Sequence, residues 1–307
     1  MKKVFIDGKA GTTGLRIYER LEKRDDILLV SLSESLRKSV SARKDALNDA
    51  DVAILCLPDD AAREAVSLIE NKNTVVIDAS TAHRTHADWV YGFPELSLAH
   101  REKIANSKRI ANPGCYASGF IALIYPLIKN GILPADTKVI CHAVSGYSGA
   151  GKKGIEAYES KERDCALDTP RLYALGLDHK HVPEMKLHSG LKLSPIFTPY
   201  VCDYYAGMTV NVPLHASAFK HSVSVDELAE IYSAHYSGCR FVRVGKETSG
   251  YISANTLNGT NYLEILVNGN KEQLLLTARL DNLGKGASGA AIQNMNIALG
   301  LDESVSL

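Results

Sequence analysis

No excess charge of either sign marks this chain: Lys and Arg together number 35, Asp and Glu also 35, for a formal net charge of +0. That balance offers no polycationic face, so neither nucleic acid nor a membrane surface is expected as a partner. Long apolar runs are missing too. The longest, over 116–128, contains Ser118, Gly119 and Pro126 and is too short to span a bilayer. The opening Met-Lys-Lys-Val-Phe-Ile breaks at Asp7, too early for a signal peptide. There is no CxxC pair among the six cysteines at 56, 115, 141, 165, 202 and 239. Such usage argues against a disulfide scaffold and suits reduced thiols in a cytoplasm. Low-complexity segments and internal repeats are lacking as well.

What is present suffices for two domains: 307 residues, 45% hydrophobic. In the first third, a short strand over 4–6 runs into Asp7-Gly8-Lys9-Ala10-Gly11-Thr12-Thr13-Gly14, and an amphipathic helix follows with Leu15, Tyr18 and Leu21 on one face. Strand, glycine turn and helix place a pyrophosphate on helix N–H groups, so Gly8, Gly11, Thr12, Thr13 and Gly14 are expected to bind cofactor. The spacing is GxxGxxG, and glycine triplets also make ordinary turns. Further strands are expected over 27–32, 52–57 and 74–77, with a helix over 61–69. This alternation predicts a Rossmann-like, doubly wound parallel sheet.

The end of the second strand bears on the choice of cofactor. An NAD site carries an acidic residue there; this chain has Ser31-Leu32-Ser33, then Glu34, Arg37 and Lys38. Ser33 and Arg37 would accommodate a 2′-phosphate and favour NADP. Glu34 could face a ribose instead, and the cations could equally coat a solvated loop. After the 74–77 strand, Asp78-Ala79-Ser80-Thr81-Ala82-His83-Arg84 falls where ligands bind in open sheets, making Ser80 and Arg84 candidates for nicotinamide or phosphate contacts.

Asn112-Pro113-Gly114-Cys115-Tyr116-Ala117-Ser118 is the most informative stretch. Pro113 and Gly114 make a tight turn, and the apolar run over 120–128 predicts a helix beginning just after it. A cysteine at a helix mouth meets unpaired N–H groups and the positive dipole end, which favour thiolate. Cys115 is therefore the expected nucleophile.

Beyond about residue 134, strands over 138–143 and 192–201, and a pair over 263–267 and 273–280 turning at Asn268-Gly269-Asn270, predict an α+β domain with a largely antiparallel sheet. Ser145-Gly146-Tyr147-Ser148-Gly149-Ala150-Gly151-Lys152 offers N–H groups, hydroxyls and a cation suited to a carboxylate or phosphate. His179-Lys180-His181-Val182-Pro183-Glu184 puts two imidazoles near a carboxylate; nothing completes a metal site, so none is expected, and one histidine is read as the base beside the thiol. The segment 281–296 opens a helix rich in small residues, expected to rejoin the first domain and complete the cofactor crevice with Asn282 and Gly286. The expected domains are 1–113 with 284–307, and 114–283.

Together these motifs resemble the short form of the N-acetyl-γ-glutamyl-phosphate reductase family over nearly the whole chain. The resemblance rests on the N-terminal glycine motif, Ser80-Thr81-Ala82-His83-Arg84 with Tyr91-Gly92-Phe93-Pro94-Glu95, Asn112-Pro113-Gly114-Cys115-Tyr116, His179-Lys180-His181-Val182-Pro183-Glu184, and the closing Lys285-Gly286-Ala287-Ser288-Gly289-Ala290-Ala291-Ile292-Gln293-Asn294-Met295-Asn296. Ser118 stands where many members carry threonine and Phe93 where leucine is common. The resemblance implies NADPH-dependent reduction of an acyl phosphate through a thioester on Cys115, in arginine biosynthesis, by a homodimer or homotetramer. It also implies His181 as proton carrier with His179 in reserve. Asn112, Ser145, Gly146, Gly149, Lys152 and Glu184 would hold the substrate, and Arg84 its phosphate. An aspartate-semialdehyde dehydrogenase-type reductase and a non-catalytic NADP-binding regulator are the rival readings.

Overall fold

Unbroken apolar runs in the first strands build a sheet buried on both faces. In the computed structural model, which describes residues 1–246 and 248–307, Val4 and Ile6 join one core with Ile17, Ile54 and Ile77, while Phe5 joins another with Leu47, Ala53 and Val76. Strands buried on both sides require helices on both sides. The first elements run β1 (Lys2–Asp7), α1 (Thr12–Leu21), β2 (Ile27–Val30), α2 (Val40–Asp49), β3 (Val52–Leu55), α3 (Asp59–Ser67), β4 (Val75–Asp78), β5 (Val90–Tyr91), α4 (Leu98–Asn106) and β6 (Arg109–Ala111). The sheet is six-stranded in the order β2-β1-β3-β4-β6-β5. Every pairing in it is parallel. This is the Rossmann-like, doubly wound sheet expected from the sequence.

The chain continues through α5 (Cys115–Lys129), β7 (Ile140–Gly146), α6 (Gly151–Glu159), β8 (Arg171–Leu172), α7 (Val182–Ser189), β9 (Ile196–Cys202), β10 (Met208–His215), α8 (Val225–His235), β11 (Val242–Val244), β12 (Leu263–Gly269), β13 (Gln273–Leu280) and α9 (Gly289–Ala298). A seven-stranded sheet forms in the order β11-β12-β13-β10-β7-β9-β8. Only β11–β12 and β7–β9 are parallel among its pairings, so it is mixed but mostly antiparallel, as expected.

The chain folds as two compact units, one of Met1–Gly114 with Ala287–Leu307 and the other of Cys115–Gly286. No helix among the described residues is long and apolar enough to cross a membrane.

The helix after the Pro-Gly turn begins at Cys115, directly after the turn as expected, so the thiol belongs to its first turn. Two local expectations need correction. The strand expected over 192–201 begins only at Ile196. The β12–β13 hairpin is antiparallel, but Asn268 and Gly269 still pair with Leu275 and Leu274. The turn falls at 270–272, where the Asn270 carboxamide oxygen accepts the N–H groups of Glu272 and Gln273. An Asx turn of this kind competes well with a glycine turn.

Candidate active site

The cofactor half lies in the first unit. Gly8 has φ +89°, and a Cβ there would stand 2.3 Å from the Cys56 carbonyl oxygen. A Cβ on Gly14 would stand 2.5 Å from the Gly8 carbonyl oxygen. Both positions therefore demand glycine, and the chain turns tightly from β1 into α1, which opens with Thr12 and Thr13. Gly11 N–H donates to the Gly8 carbonyl at 3.0 Å and closes the turn.

Beside this turn lies a cavity of about 750 Å³, a volume fit for the adenosine end of a dinucleotide. Gly8, Lys9, Ser31, Glu34, Arg37 and Lys38 help line it. Ser31, rather than the expected Ser33, is the hydroxyl on the wall; Ser33 is exposed and bonds Ser35 at 3.0 Å. Arg37 pairs with Glu34 at 3.0 Å, so the two groups that argued for opposite cofactors touch. At the cavity floor, Asp7 meets the Arg43 guanidinium at 3.0 Å, and burial lifts its carboxyl above the usual range despite that cation.

Asp78, at the end of β4, accepts from Ser80 N–H at 2.9 Å and Ser80 Oγ at 2.7 Å and meets His83 Nδ1 at 2.6 Å. It fixes the 80–84 loop. Arg84 is buried, donating Nε to the Asn112 carbonyl at 2.9 Å and a terminal nitrogen to the Ala79 carbonyl at 3.0 Å. Asn112 is buried too; its amide donates to the Ala287 carbonyl at 3.0 Å. These two side chains brace the segment leading to the Pro-Gly turn.

The thiol half lies in the second unit. Cys115 is half-buried in the first turn of α5, where N–H groups lack helical acceptors. Gly286 packs against it: a Cβ there would come within 2.6 Å of the Cys115 Cβ. α5 itself is seated by Gly119, whose missing side chain admits Val210 of β10 and Ala278 of β13.

His181 is the N-cap of α7, and Glu184 sits in that helix's first turn, where the dipole favours a carboxylate. The two are buried with His181 Nε2 and Glu184 Oε1 at 4.0 Å. His179 Nδ1 accepts the His181 backbone N–H at 3.1 Å. The two imidazoles meet edge to face at 4.7 Å between centroids. Tyr116 joins both to the cysteine's helix, its ring centroid 5.7 Å from His179 and 5.8 Å from His181.

The 145–151 loop is sewn down from below. Gly146, Tyr147 and Ser148 N–H groups donate to the carbonyls of Gly207, Tyr204 and Tyr205. A Cβ on Gly146 would collide with the Tyr204 and Tyr205 carbonyls at 2.5 Å. Asn282 braces the same loop, accepting Gly207 N–H at 2.8 Å and donating to Ser148 Oγ at 2.9 Å. A Cβ on Gly149 would sit 3.3 Å from the Asn282 amide nitrogen. Lys152 stands on α6, its side chain 77% exposed and 3.9 Å from Glu156.

Two residues at this site escaped the sequence reading. Tyr116 lay inside the cysteine motif, where it read as a helix residue, and Tyr173 carried no local signal at all. Yet Tyr173 OH donates to Tyr116 OH at 3.0 Å, and Tyr116 OH lies 2.8 Å from Ser145 Oγ.

A doubly wound nucleotide unit, followed by a mixed-sheet unit that opens on a helix-mouth cysteine, matches the semialdehyde dehydrogenases. The family model for the semialdehyde dehydrogenase NAD binding domain matches residues 3–107, and that for the dimerisation domain matches 115–282. Among solved structures, aspartate semialdehyde dehydrogenase II of Vibrio cholerae superposes with TM-score 0.71 at 16% identity, covering 98% of each chain. A probable aspartate-semialdehyde dehydrogenase of Pseudomonas aeruginosa gives 0.73 at 14%, covering 97% of this chain and 98% of that one; at such identities the likeness is one of fold. Sequence relatives are much nearer. An N-acetyl-gamma-glutamyl-phosphate reductase of Trichormus variabilis is 50% identical over 99% of both chains, and one of Pseudomonas putida 49% identical over 97% of this chain and 96% of its own. The chain belongs to the N-acetyl-gamma-glutamyl-phosphate reductase family. Its first unit is accordingly a nicotinamide dinucleotide-binding domain.

Proposed function

We propose that this chain catalyses the NADPH-dependent reductive dephosphorylation of N-acetyl-γ-glutamyl phosphate to N-acetylglutamate 5-semialdehyde. The observation that carries the reading is Cys115 in the first turn of α5, tied through Tyr116 to the His179–His181 pair, in a chain half identical to named reductases along its whole length.

The Cys115 thiolate attacks the acyl carbonyl carbon; a C–S bond forms, the C–O bond to phosphorus breaks, and inorganic phosphate leaves with its electron pair. An acyl phosphate is already activated, so this departure needs little acid help. When bound, the nicotinamide supplies the hydride that converts the thioester to the thiohemiacetal level. His181 gives a proton to the resulting oxyanion and takes it back as the C–S bond breaks, releasing aldehyde and thiolate. The orphan N–H groups of α5 favour negative charge on both sulfur and oxyanion.

His181 is preferred to His179 on its bonding. A protonated imidazole at 181 faces the Glu184 carboxylate at 4.0 Å, whereas His179 Nδ1 already accepts a backbone N–H and is disfavoured as a proton carrier at that atom.

Gly8, Gly11, Thr12, Thr13 and Gly14 hold the pyrophosphate in this reading, and Ser80 the nicotinamide end. Arg37, Lys38 and Ser31 on the cavity wall receive the 2′-phosphate of NADP, the phosphate replacing Glu34 on Arg37. Ser145, Gly146, Gly149 and Lys152 bind the acyl substrate, and Glu184 orients the base. Arg84 holds the substrate phosphate and Asn112 the acyl substrate, while Asn282 and Gly286 contact the cofactor. The dimerisation-domain match supports a homo-oligomer, a dimer or tetramer.

Incubating the protein with N-acetylglutamate semialdehyde, phosphate and NADP tests the proposal through NADPH absorbance. Turnover of aspartate semialdehyde in its place would replace the substrate assignment, and turnover of neither would leave a binding protein.

A further inference from the structure

The mechanism uses Cys115 and the imidazoles but gives no task to the tyrosine between them. Tyr116 is only 3% exposed. Its ring packs against Phe197 at 5.1 Å between centroids as well as both histidines. Its hydroxyl joins two others in a row, Tyr173 OH, Tyr116 OH and Ser145 Oγ, at 3.0 and 2.8 Å.

A hydroxyl has one proton to give. Tyr173 donates into Tyr116, which leaves the Tyr116 proton available to Ser145 Oγ, either oxygen of that pair being able to donate. With Tyr116 as the donor, the Ser145 proton is left for a third group. No further hydrogen bond of the Ser145 hydroxyl occurs among the described residues. Ser145 lies at the end of β7, where the strand enters the sewn-down loop already assigned to the acyl substrate. Burial first, and then the Tyr173 and Cys115 charges, hold the Tyr116 phenol far above its ordinary value; burial likewise raises Tyr173. Both phenols keep their protons through neutrality, so both remain able to donate across the working range.

We propose that Tyr116 is a positioning residue that, with Tyr173 behind it, orders this hydroxyl row so that Ser145 donates to an anionic oxygen of the acyl substrate. The inference rests on the functional reading above and deepens it. An anionic oxygen could come from the substrate carboxylate or from its phosphate.

Reverse-direction kinetics on the full chain separate the two, because semialdehyde and inorganic phosphate are then varied independently. Tyr116→Phe keeps the ring and deletes only the hydroxyl. The KM for one of these two substrates is expected to rise roughly tenfold with kcat held within about twofold. A rise confined to semialdehyde assigns the carboxylate; one confined to phosphate assigns the phosphate. Ser145→Ala should raise the same KM, and adding Tyr116→Phe to it should change that KM no further. A merely structural tyrosine would lower the melting temperature and leave both KM values alone. Unchanged KM values, or effects that add in the double variant, overturn the proposal. Should Tyr116→Phe not fold, Tyr173→Phe removes the first donor and must raise the same KM; no change there is equally fatal. Wild-type protein inert toward the semialdehyde is a different result, and it removes the functional reading together with this one.

Discussion

Cys115 shares its chain with five other thiols, and position separates them. Burial pushes Cys56 up to about 12, raises Cys141 further and lifts Cys202 as well. Cys115 instead opens a helix and is half-buried. Iodoacetamide near neutral pH should therefore spare Cys56 and Cys141, and inactivation should follow modification of Cys115; peptide mapping that ties inactivation to another cysteine would refute this. Cys115→Ser should abolish turnover yet leave NADPH affinity unchanged, read by fluorescence titration. His181→Asn should slow turnover by about 10²–10⁴-fold while acylation by substrate stays detectable as a burst of phosphate. A larger loss from His179→Asn would reverse the assignment of the base.

The elements that carry these residues depend on close backbone approach. The β1–α1 turn works because Gly14 lies against the Gly8 carbonyl. Gly14→Ala would force that carbonyl outward and is expected to weaken NADPH binding at least tenfold while alkylation of Cys115 proceeds at its normal rate. At the other unit, α5 lies on β10 and β13 through Gly119, where an added Cβ would stand 2.7 Å from a Val210 methyl. Gly119→Ala overpacks that contact and should cost roughly 1–3 kcal/mol, measured as a lowered denaturant midpoint. The central strand β10 was not apparent from sequence, since Pro213 interrupts its alternating pattern. In the fold its β7 ladder stops at Asn211, so Pro213 lies beyond the part of the strand paired on both sides.

For the molecule as a whole, acid sensitivity has a specific source. His100, bonded at Nε2 to the Tyr91 carbonyl, has its pKa lowered mainly by burial, and His142 is lowered for the same reason. A depressed histidine stays neutral when folded but gains a proton when unfolded, so stability rises with pH through the interval between the two values. The contribution is complete above about 6.5 and shrinks as pH falls below it. Thermal melts of wild type should therefore lose ground as pH falls below about 6.5, and His100→Gln should flatten that slope; an unchanged slope would locate the sensitivity elsewhere.

Local chain chemistry determined much of this protein without coordinates. Strand–glycine–helix order fixes a nucleotide unit because only glycine fits Gly8 and Gly14, and a Pro-Gly turn before an apolar run places Cys115 at a helix start. These features act between neighbours in sequence, where residue type alone constrains the backbone. Tertiary structure decided the rest. The turn after β2, in which Ser33 bonds Ser35, left Ser31 rather than Ser33 on the cavity wall, and Arg84 was drawn into backbone carbonyls. Tyr173 reached Tyr116 across a separation of 57 residues. Hydrogen bonds between distant segments depend on register and packing, which no single stretch of sequence encodes.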